Sequence, residues 1–297
     1  GYGMASAARV NVLMESRARV TLLPDGRARV ETDMTDIGTG TYAILGQIAG
    51  EMLGLPRDKV EVVLGDTTLP PASGSGGSWG ASSSGTSVYI ACAAIRRQLA
   101  ERLKVAETDL TLKDGQATFD NQTKPRSDIL SGDELAKEGH VEPGETSDAV
   151  RQATFGAYFA EVAVHAASGE TRVRRSFRAF AAGRILNAKT ARSQCFGGMT
   201  FGIGMALTEE LAFDPRDGHV ANHNLAEYHL AVNADVPQIT VELLEERDDW
   251  ANPLQAKGIG ELGICGAAAA ITNANHNAAG VRVRDYPATL DKVIAGM

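Results

Sequence analysis

Cysteine is scarce. Cys92, Cys195 and Cys265 are the only three in 297 residues, and they lie far apart. An odd, scattered set excludes a full disulfide framework, and no Cys-x-x-Cys pair offers a metal site. Aromatic residues make up 5%. No run approaches the ~18 consecutive apolar residues that a membrane-spanning helix needs. Basic residues are in deficit: 29 Lys and Arg against 37 Asp and Glu leave a net charge of −8. That balance argues against non-specific nucleic-acid binding, whose footprint is basic. The first residues lack the basic stretch and apolar run of a secretory signal. The sequence starts without Met and reads as a processed chain or one piece of a longer polypeptide. What is present, 43% hydrophobic and 22% charged residues, suits a core-forming chain of about two domains. It excludes disorder and coiled coil as descriptions of the whole. Glycine is in excess, 32 residues where ~7% is usual, and the excess is clustered.

Period-two alternation over residues 17–23 and 27–32, around Pro24-Asp25-Gly26, predicts a β-hairpin. A polar loop, Thr35 to Gly40, follows. Ile44, Leu45, Ile48, Met52 and Leu53 then recur at helical spacing, with Gly54 suited to the C′ position. Residues 59–64 read as a strand. The same order returns later: alternation over 159–165 and 171–179, a loop at 182–187, and an apolar helix over about 189–211. Hairpin, loop and helix thus occur twice with little shared sequence, a structural pseudo-repeat. Residues 70–85 are almost all Gly, Ser and Ala. They read either as a linker or as an anion-binding loop before a helix over 86–103. Residues 104–144 read as a surface excursion with small strands. A helix is expected over 267–279. The fold class is α+β, with domains at 1–150 and 151–297.

Glu261 is the residue most suggestive of chemistry. It is set among Gly258, Gly260, Gly263 and Gly266 and precedes an alanine-rich, uncharged helix. In that setting the carboxylate is expected to be desolvated and so to suit a general base. A second reading, of equal weight, makes it a cap on the helix N-terminus. His219, His223 and His229 lack the acidic partner of an HExxH metal site and read as solvated or core residues, as does His276. Cys92 and Cys195 read as small core residues. Ser82, Ser83 and Ser84 have no identifiable base beside them. No nucleophile elbow, phosphate loop or dinucleotide fingerprint occurs.

Four motifs occur in order: Asp36-Ile37-Gly38-Thr39-Gly40-Thr41; Gly74 to Ser84; Gly183-Arg184-Ile185-Leu186-Asn187 with Ser193-Gln194; and Lys257-Gly258-Ile259-Gly260-Glu261-Leu262-Gly263. With Val281 to Pro287 they resemble the C-terminal half of the molybdenum-binding subunit of the xanthine oxidase family. The likeness is greatest to its bacterial periplasmic aldehyde oxidoreductases and spans about residues 16–294. It implies a molybdopterin-binding domain built from the two hairpin–loop–helix units, with the cofactor in its cytosine dinucleotide form. The metal would be held by the cofactor itself, with no protein ligand. Gly38, Thr39, Gly40, the segment Gly80, Ala81, Ser82, Ser83 and Ser84, and Gln194, Lys257, Gly258 and Gly260 would line the cofactor. Glu261 would be the catalytic base in oxidising an aldehyde to a carboxylic acid. Hydroxylation of a purine- or nicotinate-type heterocycle, or a purely binding and assembly role, are the alternatives. The implied partners are the N-terminal half of the subunit and subunits carrying 2Fe-2S and FAD. The location would be periplasmic, by export with a partner, or cytoplasmic. Two residues depart from the family pattern: Thr39 stands where Gln is common, and Leu262 where Pro is. The family's Gly-Gly-Phe-Gly loop and its Arg-bearing substrate-side loop are expected from the other half, since neither motif occurs here.

Overall fold

The structure, a computed structural model, describes residues 1–144 and 147–297. In chain order the elements used below are β1 (Tyr2–Val10), β2 (Ser16–Leu22), β3 (Ala28–Thr32), α1 (Thr41–Leu53), β4 (Val60–Leu64), α2 (Gly80–Leu103), β5 (Thr111–Lys113), β6 (Gln116–Phe119), β7 (Gln122–Pro125), β8 (Leu135–Val141), β9 (Ala153–Val164), β10 (Thr171–Ala181), α3 (Ala188–Leu207), β11 (Gln238–Leu243), α4 (Leu262–Cys265) and α5 (Ala267–Ala279). They fall into two compact units. An inserted unit comprises Asn11–Gln152 and Arg247–Gly258. A host unit comprises Gly1–Val10, Ala153–Glu246 and Ile259–Met297. A division at residue 150 therefore describes only the main boundary. Residues 1–10 join the later unit because β1 pairs antiparallel with β9 along its whole length.

In the inserted unit the sheet order is β4-β3-β2-β8. The β2–β3 hairpin alternates as its sequence demands: Ala18, Val20 and Leu22 are buried with Ala28 and Val30, while Arg19 and Arg29 face outward onto Glu138 and Glu61. Helix α1 carries the chain to β4, parallel to β3. Of the expected stripe it buries Leu45, Ile48 and Leu53, together with Ala49, while Ile44 and Met52 are half-buried; it ends on Gly54 at φ 61°. A Cβ there would stand 2.2 Å from the Leu112 carbonyl oxygen, so only glycine fits this turn. A three-stranded sheet, β5-β6-β7, follows α2.

Two expectations are corrected here. Residues 80–85 are neither linker nor loop but the opening of α2. Glycine and serine are poor helix formers, yet burial overrides propensity. Ser82, Ser83 and Ser84 are wholly buried, and their hydroxyls bond to Trp79 O, Met14 N and Ser16 Oγ. Residues 135–141 are not a surface excursion either. They form β8 and complete the main sheet beside β2. Gly139 on β8 lets α2 lie directly on it: a Cβ at 139 would be 2.0 Å from Ser87 O.

In the host unit the order is β1-β9-β10-β11, with β11 parallel to β10 and α3 between them. Helix α3 ends at Leu207, short of the expected 211. Its start is capped by Asn187, whose side chain accepts from Lys189 N and Thr190 N at 3.0 Å each. Such a cap is worth about 1 kcal/mol. The core gathers Tyr158, Val162, Phe180, Cys195, Met199, Ile203 and Ile271. Gly3 on β1 lies on α5 as Gly139 lies on α2, since its Cβ would be 2.1 Å from Ala270 O. The opposite sheet face carries exposed Tyr2, Met4, Phe159 and Phe177. No helix among the described residues is long and apolar enough to cross a membrane.

Candidate functional site

The host unit holds Glu261 at the residue before α4. Close backbone packing sets its position. Gly198 on α3 sits against Gly263, and a Cβ at 198 would be 2.6 Å from the Gly263 carbonyl carbon. A Cβ at 263 would in turn be 3.1 Å from the Gln194 carbonyl oxygen, which places half-buried Gln194 beside the same turn. The side chain of Glu261 is about half exposed, at 49%, which corrects the expectation of a desolvated carboxylate. Residues adjacent in the sequence are small and apolar, but they turn the carboxylate outward. It makes no side-chain cap hydrogen bond, so the capping reading finds no support in the geometry. Instead Arg9 Nε and Nη2 each stand 2.6 Å from Glu261 Oε2. Arg9 also donates through Nη1 to the Val10 carbonyl. This arginine was not foreseen: it lies 252 positions away at the end of β1, and no local spacing marks it.

In the inserted unit the Asp36–Gly40 loop is organised around its own carboxylate. Asp36 accepts from Gly38 N at 2.8 Å, Gly40 N at 3.3 Å and Tyr42 N at 3.2 Å. Burial works against ionising Asp36, but the backbone bonds from Tyr42, Gly38, Gly40 and Thr39 outweigh it and hold the carboxyl below the usual range. A group whose folded pKa is depressed stabilises above its unfolded value, near ~3.9, and loses that contribution as pH falls through the folded value. Asp36→Ala is therefore expected to lower stability by about 1 kcal/mol at pH 7. The gap from wild type should close as the pH drops below about 4. Thermal unfolding at both pH values measures this, and a gap independent of pH would refute the carboxylate's role.

Gly38 is exposed at φ 98° and a Cβ on it would touch nothing within 4 Å, which leaves an open face on the loop. At the start of α2 the arrangement is different. No side chain caps it, and its first turn holds no acidic residue. Lys257 is buried and stands 3.2 Å from Asp248. Gly258 is buried too: its N–H donates to Asn11 Oδ1 at 3.0 Å, and a Cβ would be 2.2 Å from Ser78 O. Gly260 is half-buried. Thus Gly38, Thr39, Gly40, Gly80 to Ser84, Lys257 and Gly258 belong to the inserted unit, and Gln194, Gly260 and Glu261 to the host unit.

Comparison with known proteins bears on these loops. A profile of the molybdopterin cofactor-binding domain matches residues 1–237. The chain belongs to this family. It is 49% identical over 294 residues to the aldehyde oxidoreductase molybdenum-binding subunit PaoC of Escherichia coli (strain K12), covering 99% of this chain and 40% of that protein. It is 30% identical over 284 residues to the 6-hydroxypseudooxynicotine dehydrogenase complex subunit gamma of Paenarthrobacter nicotinovorans, covering 90% of this chain and 35% of that one. The chain thus spans about two-fifths of the curated relatives it matches. Among solved structures, the aldehyde oxidoreductase of Desulfovibrio desulfuricans superposes with a TM-score of 0.81 at 26% identity, over all of this chain and 32% of that one. Quinoline 2-oxidoreductase from Pseudomonas putida reaches 0.87 at 23% identity, over all of this chain and 41% of that one, and shares the fold.

The residues of this molybdopterin-binding family member fit such a group unevenly. The opening of α2, with no side-chain cap and no acidic residue in its first turn, suits an anionic part of the cofactor, because a helix N-terminus carries partial positive charge. The Asp36 loop does not suit a phosphate: its donors are engaged and its carboxylate would repel one. It offers an uncharged glycine surface instead. Ser82, Ser83 and Ser84 face inward, so they shape the helix start rather than the ligand. The ammonium of Lys257 already has a carboxylate beside it. Cys92 and Cys195 are core residues, as expected, with burial pushing both thiols up to about 12. Asp214, Asp217 and His219 bring possible metal-ligand atoms together on an exposed turn, as do Glu15, His140 and Glu142. His219 Nδ1 lies 2.5 Å from Asp217 Oδ1.

Proposed function

We propose that this chain is the cofactor-binding portion of a molybdenum hydroxylase that oxidises aldehydes to carboxylic acids, with Glu261 as its general base. The observation that carries the reading is the Arg9–Glu261 pair on a backbone pinned by glycine contacts, in a chain 49% identical to a molybdenum-binding subunit of an aldehyde oxidoreductase. The cofactor, when bound, supplies the two-electron oxidation of the substrate carbon. Glu261 accepts a proton at its carboxylate, and Arg9 holds that carboxylate in place. Gly80 and Ala81 hold an anionic part of the cofactor through backbone N–H groups. Gly38, Thr39 and Gly40 meet its uncharged ring. Gln194 and Gly260 flank the glutamate, while Lys257 and Gly258 fix the chain leading to it. In this reading the two hairpin–loop–helix units together form the molybdopterin-binding domain, with subdomains near 1–150 and 151–297, and the cofactor is the cytosine dinucleotide form.

The exposed aromatic face of the host sheet, with Tyr2, Met4, Phe159 and Phe177, supports further polypeptide of the same subunit covering it, since large exposed apolar patches mark contact surfaces. Electrons then leave to subunits carrying 2Fe-2S and FAD. The complex is periplasmic, exported with a partner, or cytoplasmic, and cell fractionation distinguishes the two. The function is tested by purifying the full-length subunit with its partners and measuring molybdenum, pterin and turnover with an artificial electron acceptor. Aldehydes are expected to be oxidised faster than purine or nicotinate heterocycles. Preference for a heterocycle would reassign the substrate class, and absence of both molybdenum and turnover would leave a binding or assembly role.

A further inference from the structure

A guanidinium is buried in the host core without a carboxylate. Arg178 on β10 is 0% exposed. Its Nη1 donates to Ser176 Oγ, while Nε and Nη2 have no hydrogen-bond partner among the described residues. Its guanidinium carbon lies 4.7 Å from the ring centre of Tyr158, itself 0% exposed and packed edge-on against Phe180 at 5.3 Å. Burial lowers the arginine to about 10. A core selected for stability alone gains nothing from such a charge, because an apolar side chain of similar volume is generally neutral or better there.

The phenol shows where the charge acts. Tyr158 Oη donates to the Leu262 carbonyl oxygen, at the first residue of α4. Gly266 packs on the ring: a Cβ would stand 2.6 Å from Tyr158 Cδ2. One side chain therefore ties both ends of α4, the turn that begins immediately after Glu261. A cation over an aromatic face withdraws charge from the ring, which makes the phenol a stronger donor to the carbonyl it holds.

We propose that Tyr158 and Arg178 are positioning residues for Glu261: the phenol, strengthened by the guanidinium above it, clamps the Leu262–Gly266 turn and so holds the Glu261 carboxylate against Arg9. The proposal rests on the reading of Glu261 as base, but its geometric half does not require turnover.

The test uses the full-length subunit in its complex. Tyr158→Phe keeps the ring and removes the clamp. It is expected to lower kcat about tenfold, the scale of coupling through a packed network, with KM and molybdenum content within about twofold. In a crystal structure of the variant the Arg9–Glu261 contact of 2.6 Å should open. Arg178→Met keeps volume and removes the charge. It should lower kcat in the same direction without lowering the melting temperature, and Arg178→Lys should restore most of the loss. In a Glu261→Gln background, Tyr158→Phe should cost nothing further. Full activity in Glu261→Gln would sink the base assignment alone, leaving the crystallographic contact to decide the clamp. An intact Arg9–Glu261 contact in Tyr158→Phe would overturn the proposal, and so would an equal added loss in the Glu261→Gln background.

Discussion

Glu261→Gln in the complete enzyme is expected to cut turnover by ~10²–10⁴-fold while molybdenum and pterin content stay at wild-type levels. Glutamine preserves the shape of the side chain and removes its basicity. The structure separates this effect from a loss of stability. The Glu261 carboxylate is half exposed and caps no helix, and an exposed ion pair such as that with Arg9 contributes only about 0–1 kcal/mol. The melting temperature should therefore barely move. Steady-state rates at saturating substrate, with metal analysis of the same preparation, decide the matter. A variant retaining more than about a tenth of wild-type turnover is incompatible with general-base catalysis on the usual scale.

Gly198→Val and Gly197→Val, neighbours on one helix, should behave oppositely. A Cβ at 198 would lie 2.6 Å from the Gly263 carbonyl carbon and 2.8 Å from Ile264 N, whereas one at 197 would meet nothing within 4 Å. Backbone cannot rotate away as a flexible side chain can. Overpacking of this kind costs about 1–3 kcal/mol or more, and the displaced segment is the turn that follows Glu261. Gly198→Val is thus expected to lose both stability, by about 3 kcal/mol or more, and activity. Gly197→Val should be neutral or slightly stabilising, since glycine is the poorer residue in an exposed helix position. Urea unfolding of the two variants side by side measures the contrast. Equal midpoints would mean that α3 does not bear on the turn as described.

Elements whose signals are local were legible in the sequence. The β2–β3 hairpin shows in its alternation and its Pro-Asp-Gly turn, α1 in its apolar stripe and Gly54, and α5 in an uninterrupted alanine-rich run. Elements defined by distant partners were not. Residues 2–10 are mostly small, and β1 exists because β9 supplies its ladder. Residues 135–141 read as polar because β8 is an edge strand whose alternate residues face outward. At 80–85 propensity opposed the helix, and buried serine hydroxyls reversed it. The site followed the same logic. A glycine-set glutamate stood out from its neighbours, but its exposure and its partner Arg9 depend on folding across 252 positions. In the Asp36 loop the glycines drew notice, while the organising carboxylate was passed over.

The split composition of the host unit bears on how the chain is made. β1 leaves the ribosome well before its pairing partner, Ala153–Val164, which emerges only after almost all of the inserted unit. At ~5–20 residues per second the delay is on the order of ten seconds. During that time a strand bearing Tyr2 and Met4 has both edges open, and an unpaired edge invites foreign strands. The inserted unit can build its main sheet meanwhile, because β2, β3, β4 and β8 all precede β9. Translation therefore imposes an order that the finished fold conceals: the inserted unit can mature while β1 still waits for β9.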